Sequence, residues 1–172
     1  MIRNKRIGAL AGTAAVLLTA LAISACGGGG SASTATPTTA SGKAATIGLA
    51  SEGSLGNILV DSQGRSLYLF QKDVGTKSEC AGACAEAWPP LRATGKPLAG
   101  TSLSASKIGT TTRSDGETQV VYNGHPLYLY SGDQKPGQTN GQGLNAFGGG
   151  WFALSAAGTM VSGKGSGNGL GY

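Results

Sequence analysis

Two cysteines four residues apart, Cys80 and Cys84, two aspartates in matching contexts, Asp73 and Asp133, and a single histidine, His125, are the side chains whose types and spacing could do chemistry. A thiol pair in that register can close a disulfide or exchange one with a substrate, although the Cys-x-x-Cys spacing of thioredoxin-like centres is absent. The Cys-x-x-Cys-His signature of covalent haem is missing as well. His125 has no second imidazole beside it, and metal sites need several converging ligands, so a solvated or backbone-bonded turn residue is expected. With one histidine and no Gly-x-Ser-x-Gly elbow the chain carries no complete catalytic set, and catalysis is not expected. Asp73 and Asp133, with Tyr68 and Tyr128, form the remaining constellation and the candidate ligand-binding set. Two carboxylates brought together could share a proton or hold a hard cation. Two carboxylates kept apart could each cap a turn by accepting backbone N–H bonds, which accounts for their recurrence equally well. Turn capping is the expectation, and neither a metal site nor a cofactor is predicted.

The third cysteine, Cys26, has a different setting. Arg3, Lys5 and Arg6 precede an uncharged stretch over residues 7–25, rich in Ala and Leu, that ends Ile23-Ser24-Ala25-Cys26. This is similar to a bacterial lipoprotein signal with its lipobox, which implies diacylglycerol transfer to the Cys26 thiol and cleavage just before it. The alternative is a transmembrane anchor, since the stretch is just long enough to span a bilayer; small residues crowd the cleavage end and no stop-transfer charges follow. Residues 1–25 are therefore expected to be a signal peptide. Residues 26–44, in which Cys26 is followed by four glycines and then by a run of Ser, Thr and Ala, are expected to be a flexible tether that buries too little apolar surface to fold. Lipidation of Cys26 leaves Cys80 and Cys84 as a pair, whose default state in an oxidising compartment is a disulfide. A Cys-x-x-x-Cys redox centre is the sharper alternative.

The formal charge of +5 falls to +2 once the three leader cations are set aside, ten Lys and Arg against eight Asp and Glu. That balance is scattered, whereas nucleic-acid binding needs a clustered basic face, so no nucleic-acid partner is expected. The 31 glycines call for many turns.

The elements that must position these residues come in two copies. Gly64-Arg-Ser-Leu-Tyr68-Leu-Phe70-Gln-Lys-Asp73 aligns without a gap on Gly124-His-Pro-Leu-Tyr128-Leu-Tyr130-Ser-Gly-Asp133, and downstream Trp88-Pro-Pro-Leu91 answers Trp151-Phe-Ala-Leu154. Ile58-Leu-Val60 and Ser66-Leu-Tyr-Leu-Phe70 read as strands, as do Gln119-Val-Val-Tyr122 and Pro126-Leu-Tyr-Leu-Tyr130. Asn123-Gly124 between the second two signals a two-residue hairpin, because a type I′ turn needs positive φ at both central residues. Leu67 and Leu69 fall on one face of their strand, Tyr68 and Phe70 on the other, and Leu127, Leu129, Tyr128 and Tyr130 repeat the alternation. Strands apolar on both faces belong inside a sandwich or closed sheet. The expected fold is all-β: two pseudo-symmetric repeats of about 60 residues in one small antiparallel sandwich or barrel-like domain. Six to eight strands are expected, with one short helix in the segment that holds Cys80 and Cys84. Repeat one spans about 45–104, repeat two about 105–162, and residues 163–172 form a Gly-rich tail. A shared aromatic core is expected from Tyr68, Phe70, Trp88, Tyr128, Tyr130, Trp151 and Phe152.

These residues resemble the bacterial lipoproteins called secreted repeats of unknown function, which carry a Tyr-x-aromatic-x-x-Asp motif in each of two copies. The motifs here are Tyr68-x-Phe70-x-x-Asp73 and Tyr128-x-Tyr130-x-x-Asp133. The segment Ser78-Glu-Cys80-Ala-Gly-Ala-Cys84-Ala-Glu-Ala-Trp88-Pro-Pro-Leu91 also looks like the family's cysteine segment. The resemblance covers about residues 46 to 160 and implies no activity. The expected function is a non-catalytic binding or structural module of the cell envelope, lipid-anchored to the outer face of the cytoplasmic membrane, or to the outer membrane if the host has one. Its expected partners are the membrane, through the Cys26 lipid, and an envelope protein or small ligand. The alternative is an extracytoplasmic redox or electron-transfer accessory that uses Cys80 and Cys84 or a bound metal.

Overall fold

Asn123 and Gly124 have φ of 49° and 85°, the left-handed pair that a two-residue turn requires. They join β6 (Thr118–Tyr122) to β7 (His125–Pro126), with Tyr122 opposite His125. The computed structural model in which this turn is seen describes residues 44–165. The segments expected to be a signal peptide and a tether, with Cys26 and all residues up to 43, and the expected tail from residue 166 lie outside the described residues.

Each repeat opens with a hairpin of similar register. In repeat one, β1 (Thr46–Ser51) pairs antiparallel with β2 (Asn57–Asp61), and in repeat two β5 (Ile108–Thr112) pairs antiparallel with β6. Asp61 closes the turn after β2: its Oδ1 accepts N–H bonds from Gln63 and Arg65 at 2.9 and 3.0 Å, and its Oδ2 holds the Arg65 guanidinium. Gly64 completes that turn at φ 76°, a conformation that costs a glycine little.

After the hairpins the two repeats exchange segments. The strand β3 (Tyr68–Phe70) pairs with β9 (Gly149–Ala153) of the other repeat, setting Tyr68 opposite Ala153 and Phe70 opposite Trp151. Reciprocally, Leu129 N–H donates to the Pro89 carbonyl and Leu91 N–H to the Leu127 carbonyl, both at 2.8 Å. The same exchange extends to the hairpins, where Leu59 N–H reaches the Leu154 carbonyl and Val120 N–H the Leu91 carbonyl, again at 2.8 Å. The closing segment of each repeat thus completes the other, and the two halves share one body.

Two further short pairings finish the sheets. β4 (Leu98–Ala99) lies parallel to the start of β1, and β8 (Asn145–Ala146) lies antiparallel to β9. The result is three sheets of three strands each, without closure into a barrel. The all-β, two-repeat expectation holds. Among the described residues there are nine strands rather than six to eight, because β4, β7 and β8 are two-residue strands too short to leave a periodic signature. The run from Pro126 to Tyr130 is not one ladder: β7 ends at Pro126 on the sheet edge, and Tyr128 makes single bridges to Tyr68 and Pro90. Proline has no N–H to extend a ladder, which confines it to such an edge. Among the described residues there is one α-helix, α1 (Ala83–Ala87), which stands where a helical turn was expected, besides two single 3-10 turns.

Two-sided burial of the central strands divides the core. Tyr68, Phe70 and Tyr128 face a cluster with Trp88, Trp151, Cys80 and Cys84, while Leu67, Leu69 and Leu127 face another with Ile47, Leu59 and Leu154. Successive residues of a strand point to opposite sides, so a single short strand serves both.

Candidate functional site

Tyr68 and Tyr128 meet at the centre of the domain. Each backbone N–H donates to the other's carbonyl, at 2.9 and 3.0 Å, and this reciprocal bridge marks the pseudo-twofold axis. Both side chains are fully buried, and a buried phenol requires a hydrogen-bond partner. The partner comes from the opposite repeat. Tyr68 Oη donates to Asp133 Oδ2 at 2.6 Å. Tyr128 Oη lies 2.9 Å from Asp73 Oδ2 and 2.7 Å from Ser78 Oγ, with its one proton shared between them.

The spacing within each motif has a local cause. The aromatic residue two positions after the tyrosine ends the extended segment, and its carbonyl accepts the N–H of the motif aspartate: Phe70 from Asp73 at 3.1 Å, Tyr130 from Asp133 at 3.0 Å. That turn swings each carboxyl back toward the axis. The other carboxylate oxygen then ties down the loop that follows, Asp73 Oδ1 accepting from Glu79 N–H at 2.8 Å and Asp133 Oδ1 from Asn140 N–H at 2.9 Å. Each aspartate therefore serves its own loop and the other repeat's tyrosine, and the two take separate partners. Among the described residues no group of three His, Cys, Asp or Glu is arranged to hold a metal ion.

Burial raises the pKa of both carboxyls, Asp73 to about 6, against the opposing pull of the hydrogen bonds they accept. It also raises both phenols, as does the nearby carboxylate, so Tyr68 and Tyr128 stay protonated donors at neutral pH.

The aromatic rings form a continuous stack about the same axis. Trp88 and Trp151 lie face to face at 3.9 Å with their planes 6° apart. Phe70 covers the outer face of Trp151 at 4.1 Å, and Tyr130 covers that of Trp88 at 4.3 Å. Tyr68 meets Trp88 edge-on at 5.4 Å, and Tyr128 meets Trp151 edge-on at 5.2 Å. Offset stacking and edge-to-face contact are the two arrangements that ring quadrupoles favour. Phe152, placed with these rings by its sequence, instead packs against the leucine cluster, one residue out of phase with Trp151.

Cys80 and Cys84 are joined in a disulfide, and both are buried. Beside them lies Arg113, 5% exposed, a residue that sequence reasoning missed. Its Nη2 donates to the Cys80 carbonyl at 2.7 Å, its Nη1 to Ser78 Oγ and Gln119 Oε1 at 2.8 and 2.9 Å, and its Nε to Asp115 Oδ2 at 3.1 Å. A guanidinium offers five N–H donors in a planar fork, enough for all four acceptors. Read in sequence, Arg113 stands in a polar turn next to Ser-Asp-Gly, where an arginine is ordinarily solvated. No local signal distinguishes it.

His125 closes the second hairpin turn, with its pKa lowered by burial. It lines a cleft of about 380 Å³ together with Phe70, Asp73, Asn123 and Met160. A larger groove of about 580 Å³ runs along β5 between Ile108, Thr110, Lys96 and Pro97.

The crossed pairing sets a measurable coupling. In double-mutant cycles, Tyr68→Phe with Asp133→Asn and Tyr128→Phe with Asp73→Asn are each expected to show interaction energies of about 1 kcal/mol or more, as groups sharing a hydrogen bond do. The same-motif pairs Tyr68 with Asp73 and Tyr128 with Asp133 should be additive within about 0.5 kcal/mol. Denaturant titrations of the eight variants and the wild type decide it. Coupling confined to the same-motif pairs would contradict the exchange.

A family model described as a secreted repeat of unknown function matches the chain twice, at residues 50–92 and 109–155. The first match begins near the end of β1 and the second within β5, and between them they take in β2, β6, the Tyr–Asp motifs and the two tryptophans. No curated protein and no solved structure matches.

Proposed function

Since the chain belongs to the family of secreted repeats of unknown function, we propose that it acts outside the cytoplasm as a lipid-anchored, non-catalytic module of the cell envelope that binds a protein or a small ligand. The carrying observation is the destination of the motif. The tyrosine and aspartate of each copy are engaged with the opposite copy in the core, at 2.6 and 2.9 Å, so the motif fastens two halves of a scaffold. Recurrence of these residues then follows from folding rather than from chemistry on a substrate. Binding falls to the surface, where the groove along β5 presents an edge strand beside Lys96.

Anchoring rests on Ile23-Ser24-Ala25-Cys26, and an oxidising compartment agrees with the Cys80–Cys84 bridge. The redox alternative through that bridge has less support, because both sulfurs are buried and Arg113 holds the adjoining Cys80 carbonyl. Accessible thiolates are what exchange requires. Labelled fatty acid fed to cells should enter the wild-type protein and not Cys26→Ser; equal labelling of both would overturn the anchor. Hydrogen exchange of the protein in its native envelope and after detergent extraction tests binding. Protection of a surface segment lost on extraction supports a bound partner, and identical exchange maps overturn one.

A further inference from the structure

The ring stack joins side chains that are the most easily oxidised a protein has, leaving sulfur aside. Two tryptophans in face-to-face contact at 3.9 Å are continued by Tyr130 at 4.3 Å, which is partly exposed and gives the stack a redox-competent end near the surface. The other end is Phe70, whose ring is far harder to oxidise, so the stack has one such end and not two. Each tryptophan also touches one buried tyrosine edge-on, and each of those phenols faces a carboxylate oxygen, at 2.6 Å for Tyr68 and 2.9 Å for Tyr128.

A phenol loses an electron at accessible potentials only if its proton leaves with it. A base at hydrogen-bond distance makes that transfer short. Trp88 and Trp151 supply the path for the electron, the partly exposed Tyr130 continues it by giving its proton to solvent when oxidised and taking one back when Trp88 re-reduces it, and Asp133 and Asp73 supply a place for the proton of the buried phenols.

We propose that this core is a one-electron relay: an oxidant at Tyr130 draws an electron through Trp88, and on through Trp151, from Tyr68 or Tyr128, whose proton passes to Asp133 or Asp73. In each event the Tyr Oη–H bond breaks and an Asp Oδ2–H bond forms. A neutral tyrosyl radical and a neutral carboxylic acid remain, and the one-electron oxidant is reduced by one electron. The class of reactant is a one-electron oxidant too large to enter the core, such as a high-valent metal complex. This activity goes beyond the binding role and needs neither the lipid nor the Cys80–Cys84 bridge. The pseudo-symmetry explains the pairing of parts: each repeat contributes one tryptophan, one trapping tyrosine and one proton acceptor, while the tyrosine-for-phenylalanine difference at the ends sets the direction.

The test uses the full-length protein in detergent, with a flash-generated ruthenium(III) polypyridyl complex as oxidant. A tryptophan-centred transient is expected to convert into a neutral tyrosyl radical, more slowly in heavy water than in light water. In Tyr68→Phe/Tyr128→Phe the tyrosyl signal should be lost and the tryptophan transient should persist. Tyr130→Phe should slow entry of the oxidising equivalent. Near-UV circular dichroism reports whether the variants keep their packing, and the solvent isotope effect on the wild type needs no variant. A tyrosyl signal undiminished in the double variant, arising from Tyr122, Tyr130 or Tyr172, would overturn the relay. So would the absence of any isotope effect, or of any tyrosyl radical in the wild type. None of these outcomes bears on fatty-acid labelling of Cys26, so the two proposals fail separately.

Discussion

Trp88→Ala and Trp151→Ala are each expected to lower the free energy of unfolding by about 4 kcal/mol, the usual range for removing a large buried aromatic ring. Both side chains are essentially inaccessible, at 1% and 0% exposure. Either truncation leaves a cavity between the two rings that had stacked on the tryptophan and removes the edge-on neighbour of one axial tyrosine. Domains of this size hold roughly 5–15 kcal/mol in total, so either variant should be marginal and melt far earlier than the wild type. Because the two rings stack on each other, the second truncation removes fewer contacts than the first. The double variant should therefore fall short of the summed loss by about 1 kcal/mol, the worth of an aromatic pair beyond its buried area. Guanidinium titrations with intact slopes measure all three. A loss below about 1.5 kcal/mol at either position would mean that the stack adds little to stability.

Arg113→Met is expected to cost about 3 kcal/mol through the acceptors it orphans. Met preserves much of the apolar stem, so the loss reports the guanidinium. The Cys80 carbonyl and Gln119 Oε1 lie in buried surroundings and lose a charged donor that water cannot readily replace, while Asp115 is half exposed and rehydrates. Arg113→Lys should recover less than half of the deficit, since a single ammonium cannot span acceptors that the planar fork reaches from three nitrogens. Thermal and denaturant unfolding of the two variants check this. If lysine restored full stability, the charge and not the fork would be what the site requires.

What was legible in the sequence was local or repeated. The turn at Asn123-Gly124 follows from φ restrictions within two residues, and the alternation of Leu with Tyr or Phe over 67–70 and 127–130 follows from the period of a strand. The recurrence of Trp88 as Trp151 was sufficient to place both in one aromatic core. The cysteine pairing could be expected by counting and from the compartment, and the bridge is present. Self-similarity at an offset of 60 residues revealed two copies without any structure, because each copy needs the same residues to build the same turn.

The partners across the axis were not legible, because an alternating apolar segment reads the same whichever copy it joins. Trp151-Phe152-Ala153 could be matched to Trp88-Pro89-Pro90 of the other copy, but only the tertiary fold decides that it forms a strand beside Tyr68 of the other repeat. For the same reason Asp73 could be expected to cap its own turn, and in the fold it accepts from Glu79 N–H, but it could not be assigned to Tyr128, 55 residues away. Arg113 marks the limit most plainly. Its neighbours in the chain are those of a solvated turn, and its burial depends on Cys80 and Ser78, 33 and 35 residues away. By itself the sequence determined the repeat, the turns and the faces of the strands, each fixed by steric limits within a few residues. The tertiary structure decided the exchange of segments, the crossed Tyr–Asp pairs and the buried guanidinium, because burial and hydrogen-bond satisfaction belong to whichever groups the chain finally brings together.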